Sequence, residues 1–174
     1  MSVTIKAVVE GFELFFSGLL RDDFRKTYNF KHWNEAEMLP LVRAFLLGYF
    51  GGKVRPEVKA KLPGSRSGYG RIDFQIDDVA VEFAVRRKDD SKASLSDRVN
   101  ANEMKKLLKF DGKALLVLFD FSNEPFDEVD IHRFRDWPSL GRGNHNKSAF
   151  NVAYFYLYGG GFDKYDVMQA NIRV

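Results

Sequence analysis

Asp73 and Glu82 stand on the two halves of one patterned segment, GRIDFQIDDVAVEFAVRRK, residues 70–88. Apolar and polar residues alternate on either side of Asp77-Asp78, which predicts a β-hairpin with strands over 71–76 and 79–87. Pairing about that turn sets Ile72 opposite Phe83, Phe74 opposite Val81 and Ile76 opposite Val79, a wholly apolar face. The other face carries Arg71 opposite Ala84, Asp73 opposite Glu82 and Gln75 opposite Ala80, with Arg86 and Lys88 continuing it. Directly opposed side chains lie about 5 Å apart, and like charges placed there destabilise a sheet. At an effective dielectric of about 20 the repulsion is roughly 3 kcal/mol, so an offsetting positive charge is expected.

Two arrangements would supply it. Arg71 and Arg86 flank the acids on the same face and would form a solvated ion-pair network. Alternatively the pair holds a divalent cation, Mg²⁺ or Mn²⁺, because Mg²⁺ takes oxygen ligands and is commonly held by one or two carboxylates plus waters and a substrate phosphate. Such an ion acidifies water and stabilises the charge that builds on a scissile phosphate.

Neighbouring segments must position these groups. Residues 4–23 mix apolar positions at several spacings and read as mainly helical. Asn34-Glu35-Ala36-Glu37 opens a helix running to about Tyr49, with Asn34 as cap, Glu37 closing the capping box and Pro40 within the tolerated early turns. KVRPEVKAKL reads as a short strand that Pro56 confines to a sheet edge. Residues 96–110 are patterned as a helix burying Val99, Met104, Leu107 and Leu108. KALLVLFDF is a continuous apolar run, as in a strand buried on both faces, and FNVAYFYLY and DVMQANIRV supply further strands. Helix, three strands, helix, strand and then extra elements describe an α/β sandwich with a mixed central sheet.

Composition sets the frame for that fold. A chain of 174 residues is most simply one domain, 1–174, and at 45% hydrophobic and 15% aromatic it can bury a core throughout. With no cysteine there is no disulfide, thiolate zinc site or thiol nucleophile, which fits a reducing, cytoplasmic setting. The N-terminal run breaks its apolar residues with acids, so neither a signal peptide nor a membrane span is expected, and no membrane partner with it. A net charge of +3 is a mild bias towards polyanions that decides nothing alone.

Asp73, eight intervening residues, Glu82 and a position two further on resemble the PD-(D/E)xK nuclease superfamily over roughly residues 34–121. That resemblance implies a restriction-endonuclease-like α/β/α fold and a Mg²⁺- or Mn²⁺-dependent phosphodiester hydrolase, with Asp73 and Glu82 as metal ligands. It further implies an auxiliary glutamate from the first core helix. Glu35 is preferred to Glu37 for that role, because it shares a stripe with Met38, Val42, Leu46 and Tyr49 while Glu37 sits at the capping position. For either residue the structural alternative is an acid favoured in the positive first turn of a helix.

The family's lysine is missing: Ala84 stands in its place, and Ile72 precedes Asp73 where the family often has proline. Three readings stay open. The lysine has moved, with Lys106 or Lys105 of the following helix better suited than the permanently charged Arg86. The protein binds nucleic acid or a protein partner on a nuclease fold without cutting. Or Ala84 is an engineered substitution.

AVRRKDDSK, GRGNHNKS and GSRSGYGR are the loops suited to a phosphate backbone, through Arg66, Arg71, Arg86, Arg87, Lys88, Arg142 and Lys147, with Tyr69, Asn144 and His145 adding stacking or hydrogen bonds. The expected partner is nucleic acid, with DNA preferred to RNA, and pairing of two sites in a homodimer is left open. His32, His132 and His145 show no metal-ligand spacing, and no Gly-Lys-Ser/Thr phosphate loop or Gly-x-Ser-x-Gly elbow occurs, which argues against a zinc hydrolase, a nucleotide-driven motor or an esterase.

Overall fold

The computed structural model describes residues 2–62, 66–135, 148–158 and 164–173. Helix α1 (Ile5–Leu19) is capped by Thr4, whose hydroxyl accepts from the Ala7 N–H at 3.1 Å. Its buried Val8, Phe12, Phe15, Phe16 and Leu19 recur at the helical period, so one face enters the core. After the short α2 (Asp22–Thr27) comes α3 (Glu35–Phe50), which opens with a complete Asn34/Glu37 capping box, contains Pro40, and stops at Gly51 with φ 59°. Glycine reaches that left-handed conformation without a Cβ penalty.

Six strands follow: β1 (Val54–Lys61), β2 (Tyr69–Ile76), β3 (Val79–Arg86), β4 (Lys113–Asp120), β5 (Phe150–Leu157) and β6 (Tyr165–Ile172). They form one mixed sheet in the order β1-β2-β3-β4-β5-β6, parallel only at β3–β4 and β4–β5. The parallel β3–β4 step needs a crossover, and α4 (Ala101–Lys109) supplies it. α5 (Glu128–His132) lies in the β4–β5 connection. β1 is an edge strand, as Pro56 requires, and β4 is buried at every position after Lys113.

The core divides in two. Side chains of α1 and α3 pack with Phe74, Ile76, Val79, Val81, Phe83, Val117, Phe119 and Phe155. Phe16 meets Phe119 edge-on at 4.8 Å and stacks on Phe121 at 5.5 Å between centroids. The second cluster joins Met104, Leu107 and Leu108 of α4 and Ile131 of α5 to Ala80, Ala84, Leu116, Leu118 and Tyr154. Among the described residues no helix is long and apolar enough to cross a membrane.

The hairpin has the expected register: Phe74 pairs with Val81, Gln75 with Ala80 and Ile76 with Val79. Asp77 adopts φ 57° in the turn, a conformation aspartate tolerates. Other details differ from the sequence reading. The helix expected over 96–110 begins only at Ala101, so Val99 falls outside its periodic face and is 58% exposed. Tyr49, on the stripe of Met38, Val42 and Leu46, is half exposed one residue before the end of α3, and Ile72 packs with the α4-side cluster instead of joining Phe74.

Candidate active site

Ladder pairing between β2 and β3 runs only as far as Phe74–Val81. Beyond that point Asp73 replaces a backbone partner: its Oδ2 accepts the Phe83 N–H at 2.9 Å. The strands separate where the two acids meet, and α4 packs over the opening. Lys106, on the second turn of α4, donates to Glu82 Oε2 at 2.6 Å and to the Arg71 carbonyl at 3.0 Å. Among the described residues it is the cation paired with Glu82.

Glu82 is fully buried, on the face of β3 that also carries Ala80 and Ala84. Burial first, and the Asp73 charge second, push its carboxyl up to about 9 against the pull of Lys106. Its Oε1 is buried with no hydrogen-bond partner in the protein. Asp73 is raised too, by burial, although the Phe83 N–H, Lys106 and a hydrogen bond shared with the protonated Glu82 carboxyl oppose the shift. Glu35 opens α3 at the rim of this group. The surrounding protein, then the charges of Asp73 and Glu103, push it up to about 7, while its exposed surface leaves it open to solvent and proton exchange.

Glu35, Asp73, Glu82 and Lys106 are therefore brought within electrostatic reach of one another by α3, β2, β3 and α4. Glu103 was not singled out in the sequence, yet its charge acts on all three acids. The available signal was its spacing, three residues before Lys106 on one helix face.

The basic residues are dispersed. Arg86 does not lie on an exposed face and cannot meet a phosphate backbone: it is wholly buried, bonded through Nε to Asp120 Oδ1 at 2.8 Å, and also reaches the second Asp120 oxygen and the Glu124 carbonyl. The Tyr154 hydroxyl donates to the same aspartate and accepts the Phe126 N–H. The physical reason is that α4 and α5 cover the face that alternation assigns to Arg86, so its charge needs a buried partner. Arg71 is exposed and pairs with Glu57, not with the acids. The Arg71/Arg86 network expected to neutralise Asp73 and Glu82 is thus not formed. Arg66 and Arg87 are exposed, Arg87 pairing with Asp90 at 2.8 Å. Lys88 is half-buried and its N–H bonds the Lys31 carbonyl. Burial, with the charges of Lys88 and Arg25, lowers Lys31 to about 8. Arg142 and Lys147, with Asn144 and His145, lie outside the described residues.

Among the described residues, no three His, Asp or Glu side chains stand together at metal-holding geometry. The donor set for a cation is two carboxylates, Asp73 and Glu82. That set suits Mg²⁺, which keeps several waters and takes substrate oxygens rather than a full protein cage. The unpartnered Glu82 Oε1 is the atom such an ion would satisfy. Comparison of the chain with protein-family models, curated proteins and solved structures gave no significant match.

Proposed function

We propose that the chain is a Mg²⁺- or Mn²⁺-dependent nuclease with a variant PD-(D/E)xK site on a restriction-endonuclease-like α/β/α sandwich, acting on DNA in preference to RNA. One observation carries the reading: the lysine absent at position 84 has a counterpart in Lys106, whose ammonium reaches Glu82 from α4. Asp73 and Glu82 would hold the ion, which when bound supplies stabilisation of negative charge on the scissile phosphate. Lys106 holds positive charge beside that position and can orient an attacking water through its one remaining donor. Glu35, poised near neutral pH and open to solvent, is suited to take or deliver the proton.

The rival is a nucleic-acid- or protein-binding module on the same fold, and the observation favouring it is that Lys106 already occupies Glu82 Oε2 without an ion. Melting temperature followed during Mg²⁺ and Mn²⁺ titration separates the two. The nuclease reading expects saturable stabilisation in wild type, about 1.4 kcal/mol at ten times Kd, that is lost in Asp73→Ala/Glu82→Ala. It also expects metal-dependent cleavage when single- and double-stranded DNA and RNA are supplied. No stabilisation and no cleavage of any of the four substrates would leave the binding module.

A further inference from the structure

Beside Asp73 a cleft of about 160 Å³ is lined by Leu39 and Arg43 of α3, Glu57 of β1, and Arg71 and Asp73 of β2. Its chemistry is bipartite. Arg43 Nη2 donates to Glu57 Oε1 at 3.0 Å and Arg71 Nη1 donates to Glu57 Oε2 at 3.1 Å. Each carboxylate oxygen thus takes one guanidinium, as the two non-bridging oxygens of a phosphodiester would. Arg43 Nε is buried beside them with no hydrogen-bond partner in the protein, a donor that a third oxygen would satisfy.

Glu57 is an uneasy occupant. It holds φ at 50°, in the left-handed region that a β-strand residue does not ordinarily enter. The β1–β2 ladder resumes on either side of it, at Pro56–Phe74 and Val58–Ile72, while Glu57 itself is unpaired. Glu57 is also more than half exposed, so turning it out to water leaves no charge buried. Arg43 lies eight residues, just over two helical turns, after Glu35, with Leu39 midway, so one stripe of α3 runs from the rim acid to this cleft.

We infer that Arg43 and Arg71 form a phosphate-binding subsite next to the Asp73/Glu82 pair, and that Glu57 holds it closed as a carboxylate surrogate until a phosphate displaces it. The assignment to a backbone phosphate neighbouring the scissile one rests on the nuclease reading; the affinity for phosphate does not.

The test uses two probes on wild type, Glu57→Gln, Arg43→Gln and the double variant. A short single-stranded DNA oligonucleotide is bound in EDTA and followed by fluorescence anisotropy, and inorganic phosphate is titrated while the arginine Nε–H resonances are observed. Glu57→Gln is expected to tighten both by about fivefold, as a competing charge-assisted partner is removed, and Arg43→Gln to erase that gain in the double variant. Glu57→Gly guards against a folding artefact: it removes the carboxylate while relieving the backbone, so it tightens binding with melting temperature maintained or raised. If Glu57→Gln and Glu57→Gly both leave phosphate and oligonucleotide affinities within about twofold of wild type, or the gain survives Arg43→Gln, the subsite is wrong. Cleavage by wild type with no such gain sinks the subsite and spares the nuclease reading. Tightened inorganic phosphate without oligonucleotide binding or cleavage sinks the nuclease reading, and marks a free phosphate or small phosphate ester as the ligand.

Discussion

Lys106 Nζ lies 2.6 Å from Glu82 Oε2 although the two residues are 24 apart in the chain, because the crossover helix between β3 and β4 lies back over the strand it left. Position 84 is two residues from Glu82 on the same face of β3, and Ala84 there is buried and carries no charge. If this lysine serves the role that position 84 lacks, Lys106→Met is expected to cut metal-dependent cleavage by about 100-fold. Ala84→Lys in the Lys106→Met background is expected to recover part of the rate. Steady-state cleavage by the two variants checks this, and a Lys106→Met enzyme at wild-type rate would remove Lys106 from the site.

The acid pair makes stability depend on pH in a stated direction. Glu82 sits at about 9 in the folded chain against 4.5 for an ordinary glutamate, and Glu35 at about 7. Between the ordinary and folded values the native state binds more protons than the unfolded state, so stability falls as pH rises through that window. Glu82 contributes over the range from about 4.5 to about 9, Glu35 only up to about 7. One proton gives a slope no steeper than about 1.4 kcal/mol per pH unit. Glu82→Gln is therefore expected to gain on wild type as pH climbs from 5 to 9, measured as the difference in melting temperature. A constant difference would mean Glu82 titrates as an ordinary acid.

On the nuclease reading, protons and a cation would compete for the Asp73 and Glu82 oxygens. Metal affinity should accordingly rise with pH: the shift in melting temperature at fixed Mg²⁺ is expected to be larger at pH 8.5 than at pH 6 in wild type, and absent at both in Asp73→Ala/Glu82→Ala. A wild-type shift independent of pH would place the ion elsewhere.

Alternation in 70–88 was enough to set the hairpin register, because a one-residue slip would exchange its apolar and polar faces. The Asn34/Glu37 box was equally legible, since capping is local chemistry. What covers a face is not local. Arg86 follows the same alternation as Glu82, and only the packing of α4 and α5 reveals that both are buried and that Arg86 belongs to Asp120. Glu57 gave no signal either, because its backbone conformation is imposed by the paired residues around it. Glu103 and Lys106 were readable as one helix face, but the partner of that face depends on the crossover.

Exposed cations should act on a polyanion through long-range charge. Arg66 is exposed, and Arg66→Gln is expected to weaken oligonucleotide binding uniformly across sequences and to reduce the slope of log affinity against log salt by about 1. Equilibrium binding at several salt concentrations checks this; an unchanged slope would place Arg66 off the path of the strand.

Arg86 separates stability from binding. Removing one partner of a fully buried ion pair leaves the other uncompensated, so Arg86→Met or Asp120→Leu alone should destabilise by about 3–5 kcal/mol. Tyr154→Phe removes only a hydroxyl; burial and the neighbouring Asp120 already hold that group in its neutral form, and the expected loss is about 1–2 kcal/mol. The double change Arg86→Met/Asp120→Leu removes both charges and should return most of the single-variant loss. Because neither residue reaches the surface, oligonucleotide affinity and its salt slope should be unchanged in the double variant. Chemical denaturation and anisotropy on the same four proteins measure both quantities. A double variant that is well folded yet binds nucleic acid more weakly would show that Arg86 is reached by the ligand after all.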